Sequence, residues 1–257
     1  MSGGGPKISG GDFWSRVVQL VFVLGLLLLW YVATTQWRVS PLLLPNPVNV
    51  WHQFVRIVLS GEFIPDLRVT LYELAAAFAI SVTLGVSIGY AVSRSPYLIK
   101  VLEPLFAGIY SIPIILFLPL YVLLFGLGPA SKIALGATIS FFPIVLNTIV
   151  GFGYVDRTLI TAARSMGAND VQLFHHVLFP AALPVMLAGL RMGFTVALLS
   201  VIGSETIASL AGLGHRIVNL AENMETARMF AYIGFVVMIA ALLNVAVSRL
   251  EARGQWR

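Results

Sequence analysis

Few residues in this chain of 257 amino acids could do chemistry. Glu73 and Glu205 each interrupt a long apolar run. A carboxylate in such a run is costly to desolvate, so a pathway-lining, gating or paired role is expected. The alternative for both is a place near the end of a span, solvated by headgroups or water. Glu73 stands about two turns from the start of its run. For Glu205, pairing with Arg191, Arg68 or a partner chain fits better than contact with an anionic solute. Arg191 follows Pro184 by about two turns, near one end of its run. It either snorkels to the surface or serves as a gate or anion contact. Tyr110, Ser111 and Pro113 sit where a proline frees a backbone carbonyl. Broken helices are tolerated where they line a cavity or pack against protein, and both readings stand here. His175 and His176 are adjacent and fall on different helix faces, unlike the i, i+4 pair of a metal site. Without cysteine there is neither a disulfide nor a thiolate ligand. No Gly-x-x-x-x-Gly-Lys-Ser/Thr loop, Ser-His-Asp set or paired-carboxylate pattern is legible. The expectation is therefore no catalytic site, no metal and no cofactor held by this chain.

One mixed polar stretch, Asp156 to Pro184, stands between apolar runs. Asp156 suits an N-cap. Leu159, Ala162, Ala163 and Met166 then fall at i, i+3, i+4 and i+7, one face of a short helix. Arg157, Thr161, Arg164 and Ser165 take other faces. Gly167, followed by Ala168, suits the left-handed position that ends a helix. Asn169 or Asp170 can cap a second short helix carrying Val171, Phe174, His175 and Leu178 on one side. Pro180 and Pro184 then punctuate the return to an apolar run. The stretch predicts two short helices joined by a turn, outside the hydrocarbon, presenting a surface to another protein. The plain alternative is an interfacial helix pair between spans.

The elements that must position these residues are membrane spans. The chain is 58% hydrophobic and 11% charged, with mean hydropathy +0.92. A soluble domain carries about twice that charged fraction. The fold class expected is all-α, a polytopic membrane protein with six transmembrane helices. The spans run over residues 17–34, 67–92, 102–127, 132–151, 181–208 and 229–247. The third is irregular, with Pro104, Pro113 and Pro119. Residues 1–13 read as a disordered tail, residues 14–65 as the first span plus an external amphipathic segment, and residues 66–250 as a five-span core. The polar loop falls at 156–178 and a short tail at 251–257. Residues 211–228 read as a polar connection. The net charge of +5 reflects cytoplasmic edges rather than nucleic acid. One side carries Lys7, Arg16, Arg94, Lys100, Arg157, Arg164, Arg249, Arg253 and Arg257. The other carries Arg38, Arg56, Arg68, Lys132, Arg216 and Arg228. That bias places both termini and the polar loop in the cytoplasm.

The polar loop resembles the cytoplasmic loop of ABC importer permeases, written Glu-Ala-Ala, three residues, Gly, nine residues, Ile, one residue, Leu-Pro. Ala162, Ala163, Gly167 and Pro180 are in register. Val177 and Phe179 replace Ile and Leu, and Thr161 replaces the Glu, which removes a carboxylate that helps organise the loop in that family. Tyr110-Ser-Ile-Pro113, Leu118-Pro119, Phe125-Gly126-Leu-Gly128 and Ser131-Lys132 are similar to the nitrate/sulfonate/taurine group. So are Phe142-Pro143, Gly189-Leu190-Arg191, the Glu205 region and Gly212-Leu-Gly214. The resemblance runs from about Pro41 to the C-terminus. It implies a type I importer fold and a permease in the bacterial inner membrane. Its partners would be a second permease copy, two ATP-binding cassette subunits and an external or periplasmic substrate-binding protein. Leu159, Thr161, Ala162, Ala163, Arg164, Met166, Gly167 and Ala168 would form the ATPase-coupling surface, with ATP and Mg on the partner. The implied cargo is a small organic or inorganic anion such as a sulfonate, taurine or nitrate. The competing class is an ion-coupled transporter or channel using Glu73 and Glu205, but no inverted repeat supports it.

Overall fold

The computed structural model describes residues 10–37 and 39–254. The tail residues 1–9 and 255–257 and the expected outer-side Arg38 lie outside the described residues. Helices alone form the regular structure among those described: α1 Gly10–Thr35, α2 Pro47–Ser60, α3 Ile64–Ser93, α4 Pro96–Tyr110, α5 Leu118–Phe125, α6 Pro129–Gly153, α7 Arg157–Ser165, α8 Asp170–Leu173, α9 Phe179–Ile207, α10 Leu213–Glu222 and α11 Thr226–Gly254. Two compact units result, one from Met1–Gly61 with Asn219–Gly234, the other from Glu62–Val218 with Phe235–Arg257. Helix α1 begins at Gly10, so residues 10–13 of the expected tail are helical, and α11 continues to Gly254.

In the smaller unit, the apolar stretch of α1 is exposed along its length, as a single lipid-facing span requires. Trp30 Nε1 donates to the Pro45 carbonyl at 3.0 Å, which ties the end of α1 to the turn that follows. Asn46 Oδ1 accepts from Val48 N at 2.9 Å and Pro47 occupies the first turn, so α2 starts where its capping signals stand.

In the larger unit, α3, α6 and α9 form the core, with Leu135, Val145, Ile149, Ala197 and Val201 fully buried. Close approach requires glycine. A Cβ on Gly89 would lie 2.6 Å from Thr148 Cβ, and one on Gly193 would lie 2.5 Å from Ile144 Cγ1. Among the described residues five helices are long and apolar enough to cross a membrane, and six if the bent pair Pro96–Tyr110 with Ile114–Phe125 is one span. That pair is bent by 70°. Pro113 is the cause. It has no N–H for the Ile109 carbonyl, which accepts instead from Ile112 N at 3.1 Å.

Two expectations are corrected. The second half of the polar loop is not a separate short helix. Asp170 to Ile207 is one continuous helical stretch, carried through Phe174–Leu178 by a π turn in which Phe179 N–H reaches the Phe174 carbonyl. Pro180 enters just after that turn, where its missing N–H is tolerated. Residues 211–228 are not a polar loop throughout. They contain α10, with Leu213 and Leu220 buried.

Candidate functional site

The polar loop is built from local capping. Asp156 Oδ1 accepts from Thr158 N at 2.8 Å and starts α7. These hydrogen bonds from Thr158 hold the Asp156 carboxyl below its ordinary value. Gly167, at φ +81°, ends the helix. Its N–H donates to Arg164 O and that of Ala168 to Ala163 O, both at 3.0 Å. That pair of bonds is a Schellman closure. Asn169 and Gln172 then cap each other reciprocally, at 2.8 and 3.0 Å. The Arg164 guanidinium spans the turn to the Asp170 carboxylate.

The face that this frame presents is apolar and open. Ala163 is buried, but Ala162 is exposed, Leu159 is 51% exposed and Met166 is 82% exposed. The expected apolar stripe therefore points mostly outward. Thr161 gives its hydroxyl to Arg157 O at 2.9 Å, so it serves its own helix rather than replacing the family's carboxylate. A 330 Å³ cavity opens behind the turn, lined by Ala163, Met166, Gly167, Ala168, Gln172 and His176. His176 Nδ1 lies 3.0 Å from Gln172 O, and His175 stands edge-on to Phe174. Among the described residues no group of metal-ligating side chains forms. Tyr90 meets Phe152 and Phe174 edge-on at 5.0 and 5.3 Å, and Phe152 stacks on Phe174 at 6.0 Å, anchoring the root of the loop to α3 and α6.

A second region lies at the break between α4 and α5. Ser111 and Pro113 are exposed, while Tyr110 is half-buried and stacks on Phe142 at 6.0 Å. The Ser111 hydroxyl donates to Gly108 O at 2.7 Å. An apolar crevice of 400 Å³ opens beside it, with Tyr121 donating to Thr138 Oγ1 at 2.8 Å in its wall.

The third region joins residues far apart in sequence. Glu73 and Glu205 are each 1% exposed, and Lys132 is fully buried. Glu205 Oε1 accepts from Thr70 Oγ1 and its Oε2 from Gly214 N, both at 2.7 Å. Thr70 Oγ1 in turn accepts from Leu213 N at 2.9 Å. The Glu73 carboxyl lies within hydrogen-bonding reach of Glu205. Lys132 Nζ donates to Leu127 O at 2.5 Å, and to Gly128 O and Ser131 Oγ at 3.3 Å.

Both carboxyls are thus enclosed within the helix packing rather than set on an open wall. The pairing of Glu205 with Arg191 or Arg68 is not what the structure holds. Arg191 lies fourteen residues earlier on α9 and is exposed. Arg68 stands two residues before Thr70, on another side of α3. Sequence reasoning missed Thr70 and counted Lys132 among outer loop cations. A signal existed: Lys132 lies in the first turn after Pro129, a position the helix dipole disfavours for a cation.

The family described as binding-protein-dependent transport system inner membrane component matches residues 81–254. The taurine transport system permease protein TauC of Escherichia coli (strain K12) is 32% identical over 249 residues, covering 93% of this chain and 90% of that protein. The putative aliphatic sulfonates transport permease protein SsuC of Bacillus subtilis (strain 168) is 31% identical over 245 residues, covering 95% and 88%. Among solved structures, a chain of an amino acid ABC transporter shares the fold at TM-score 0.61 and 22% identity, over 79% of this chain and 98% of that one. The chain therefore belongs to the binding-protein-dependent inner membrane components, the multi-pass permease subunits of ATP-driven importers with the type I fold.

Proposed function

We propose that this permease carries a small sulfonate, with taurine or an aliphatic sulfonate as the first candidates, and that α7 is its contact with the motor. The relatives named for taurine and aliphatic sulfonates support the cargo. Relatives named for riboflavin and formylaminopyrimidine define the competing cargoes to test. The observation that carries the motor contact is the outward apolar face of Leu159, Ala162 and Met166 on a helix fixed by caps at both ends. A groove on a separate ATP-binding subunit receives that face. Thr161, Ala163, Arg164, Gly167 and Ala168 hold its shape. ATP and Mg belong to that subunit, where hydrolysis occurs.

Two permease copies, two ATP-binding subunits and an external binding protein complete the importer, with the termini and α7 in the cytoplasm. Backbone released from helical bonding is not tolerated against lipid, so Tyr110, Ser111 and Pro113 face the pathway or the second copy. Arg191 remains a contact for a passing anion. Glu73 and Glu205 act as gate residues through the segments they hold. Reconstituted with its ATPase and binding protein, the chain should take up radiolabelled taurine or an alkanesulfonate only when ATP is supplied. Uptake that persists without ATP and collapses with a proton uncoupler would overturn the reading.

A further inference from the structure

The outward stripe of α7 does not account for the 330 Å³ cavity behind its turn. The cavity is small and apolar at Ala163, Ala168 and Val177, and polar at Gln172 and His176. Gly167 adds no bulk to it, and a Cβ there would meet nothing within 4 Å. The two polar side chains are each engaged at one end only. His176 Nδ1 lies 3.0 Å from the Gln172 carbonyl. A carbonyl only accepts, so Nδ1 carries the hydrogen and, in the neutral ring, Nε2 is an acceptor. That nitrogen has no partner among the described residues. Gln172 Oε1 accepts from Asn169 N at 3.0 Å, while its NH₂ group has no partner among the described residues. His176 and Val177 also lie inside the π turn Phe174–Leu178. Such turns take an extra residue into the helix and occur frequently at functional sites.

Apolar walls with one acceptor and one donor fit a side chain that has an apolar body and a hydroxyl tip. Tyr has both: its O–H can donate to His176 Nε2 and its oxygen can accept from the Gln172 NH₂. Trp offers a donor alone, and Phe neither. We propose that the cavity is a socket for one tyrosine of the ATP-binding subunit. Met166, 82% exposed, belongs both to the outward stripe and to the cavity wall. A partner seated on α7 therefore reaches the socket along one continuous surface. The grip is mutual: α7 enters a groove on the motor, and a motor side chain enters the permease behind α7. Such an anchor lets the motor pull the loop as well as push it. The socket rests on the reading of α7 as the motor contact.

The test titrates the purified cognate ATP-binding subunit against permease in nanodiscs. Ala168→Leu and Val177→Phe fill the cavity from two places in the chain. Each should weaken binding by about tenfold or more while the permease stays folded by its melting transition. His176→Phe keeps a ring but removes the acceptor, and should weaken binding about fivefold. A Tyr→Ala scan of the ATP-binding subunit should find one position whose loss does not add to that of Ala168→Leu, because the filled socket already excludes it. Tyr→Phe at that position should match His176→Phe. Should Val177→Phe fail to fold, Ala168→Leu decides. Undiminished binding with Ala168→Leu, or a scan in which every tyrosine adds to it, overturns the socket. Leu159→Ala, outside the cavity, separates the two readings. If it weakens binding and Ala168→Leu does not, α7 docks without a socket; if neither does, the α7 contact itself falls.

Discussion

The sharpest test of α7 is to remove its outward apolar groups without disturbing the helix. Full burial of a Leu or Met side chain stabilises by about 1.5–3 kcal/mol. Leu159 is 51% exposed and Met166 is 82% exposed in the protomer. Closing a groove over them therefore gains about 1 and about 2 kcal/mol respectively. Truncation to Ala leaves each Cβ in place, so Leu159→Ala with Met166→Ala should lose about 2 kcal/mol of docking energy, or about 30-fold in affinity. The permease itself should melt as before, since neither side chain supports its core and such surface changes cost at most about 0.5 kcal/mol. The assay is a binding titration of the purified ATP-binding subunit against permease in nanodiscs, with Leu59→Ala as the control. That control should bind normally, because Leu59 is an exposed apolar residue of α2, outside the polar loop. An unchanged affinity for the double variant, with the permease folded, refutes docking through this face.

Gly167 and Gly212 both have positive φ, at +81° and +106°, but their alanine variants should differ. Nothing lies within 4 Å of a Cβ at Gly167, whereas one at Gly212 meets the Glu205 carboxyl. Gly167→Ala should cost about 1–2 kcal/mol of backbone strain and weaken ATPase binding; Gly212→Ala should also displace the start of α10, read as new protease sensitivity there. Gly89→Ala should lower the melting temperature, because its Cβ would fall 2.6 Å from Thr148 Cβ, an overpacking of about 1–3 kcal/mol. The Asp156 cap carries a pH signature: its folded carboxyl titrates below the ordinary 3.8. Its stabilisation of α7 is thus complete above that ordinary value and is lost as pH falls through the lower folded one. Protease resistance of α7 should follow that sign, and Asp156→Asn should remove the dependence.

The polar loop was legible because its structure is made by neighbours in sequence. Asp156 caps a helix two residues on, Gly167 closes the turn behind Arg164, and Asn169 and Gln172 cap each other. Its outward face was legible as periodicity, though not as exposure: Ala163 alone of the four stripe residues turned inward and was buried. What failed was the fate of Pro180 and Pro184. They read as punctuation, yet a proline early in a helix meets few donors to displace, and the π turn before Pro180 absorbs the change of register. The break at Pro113 was legible as irregularity, but its 70° bend was not, because that angle depends on what α4 and α5 each pack against on α6.

The buried cluster could not be read for a different reason. Thr70, Glu73, Lys132 and Glu205 come from three helices, and each has an ordinary explanation taken alone. Glu205 suggested pairing with Arg191, Arg68 or a partner chain, because a buried acid needs a partner. Instead Glu205 is held by a hydroxyl and a backbone amide at the start of α10, partners that have no charge signature in a sequence. Lys132 looked like a loop cation because it closely follows Gly126, Leu127, Gly128 and Pro129. Yet a cation in the first turn of a helix opposes the dipole and needs compensation, and here the Leu127 and Gly128 carbonyls just before α6 supply it.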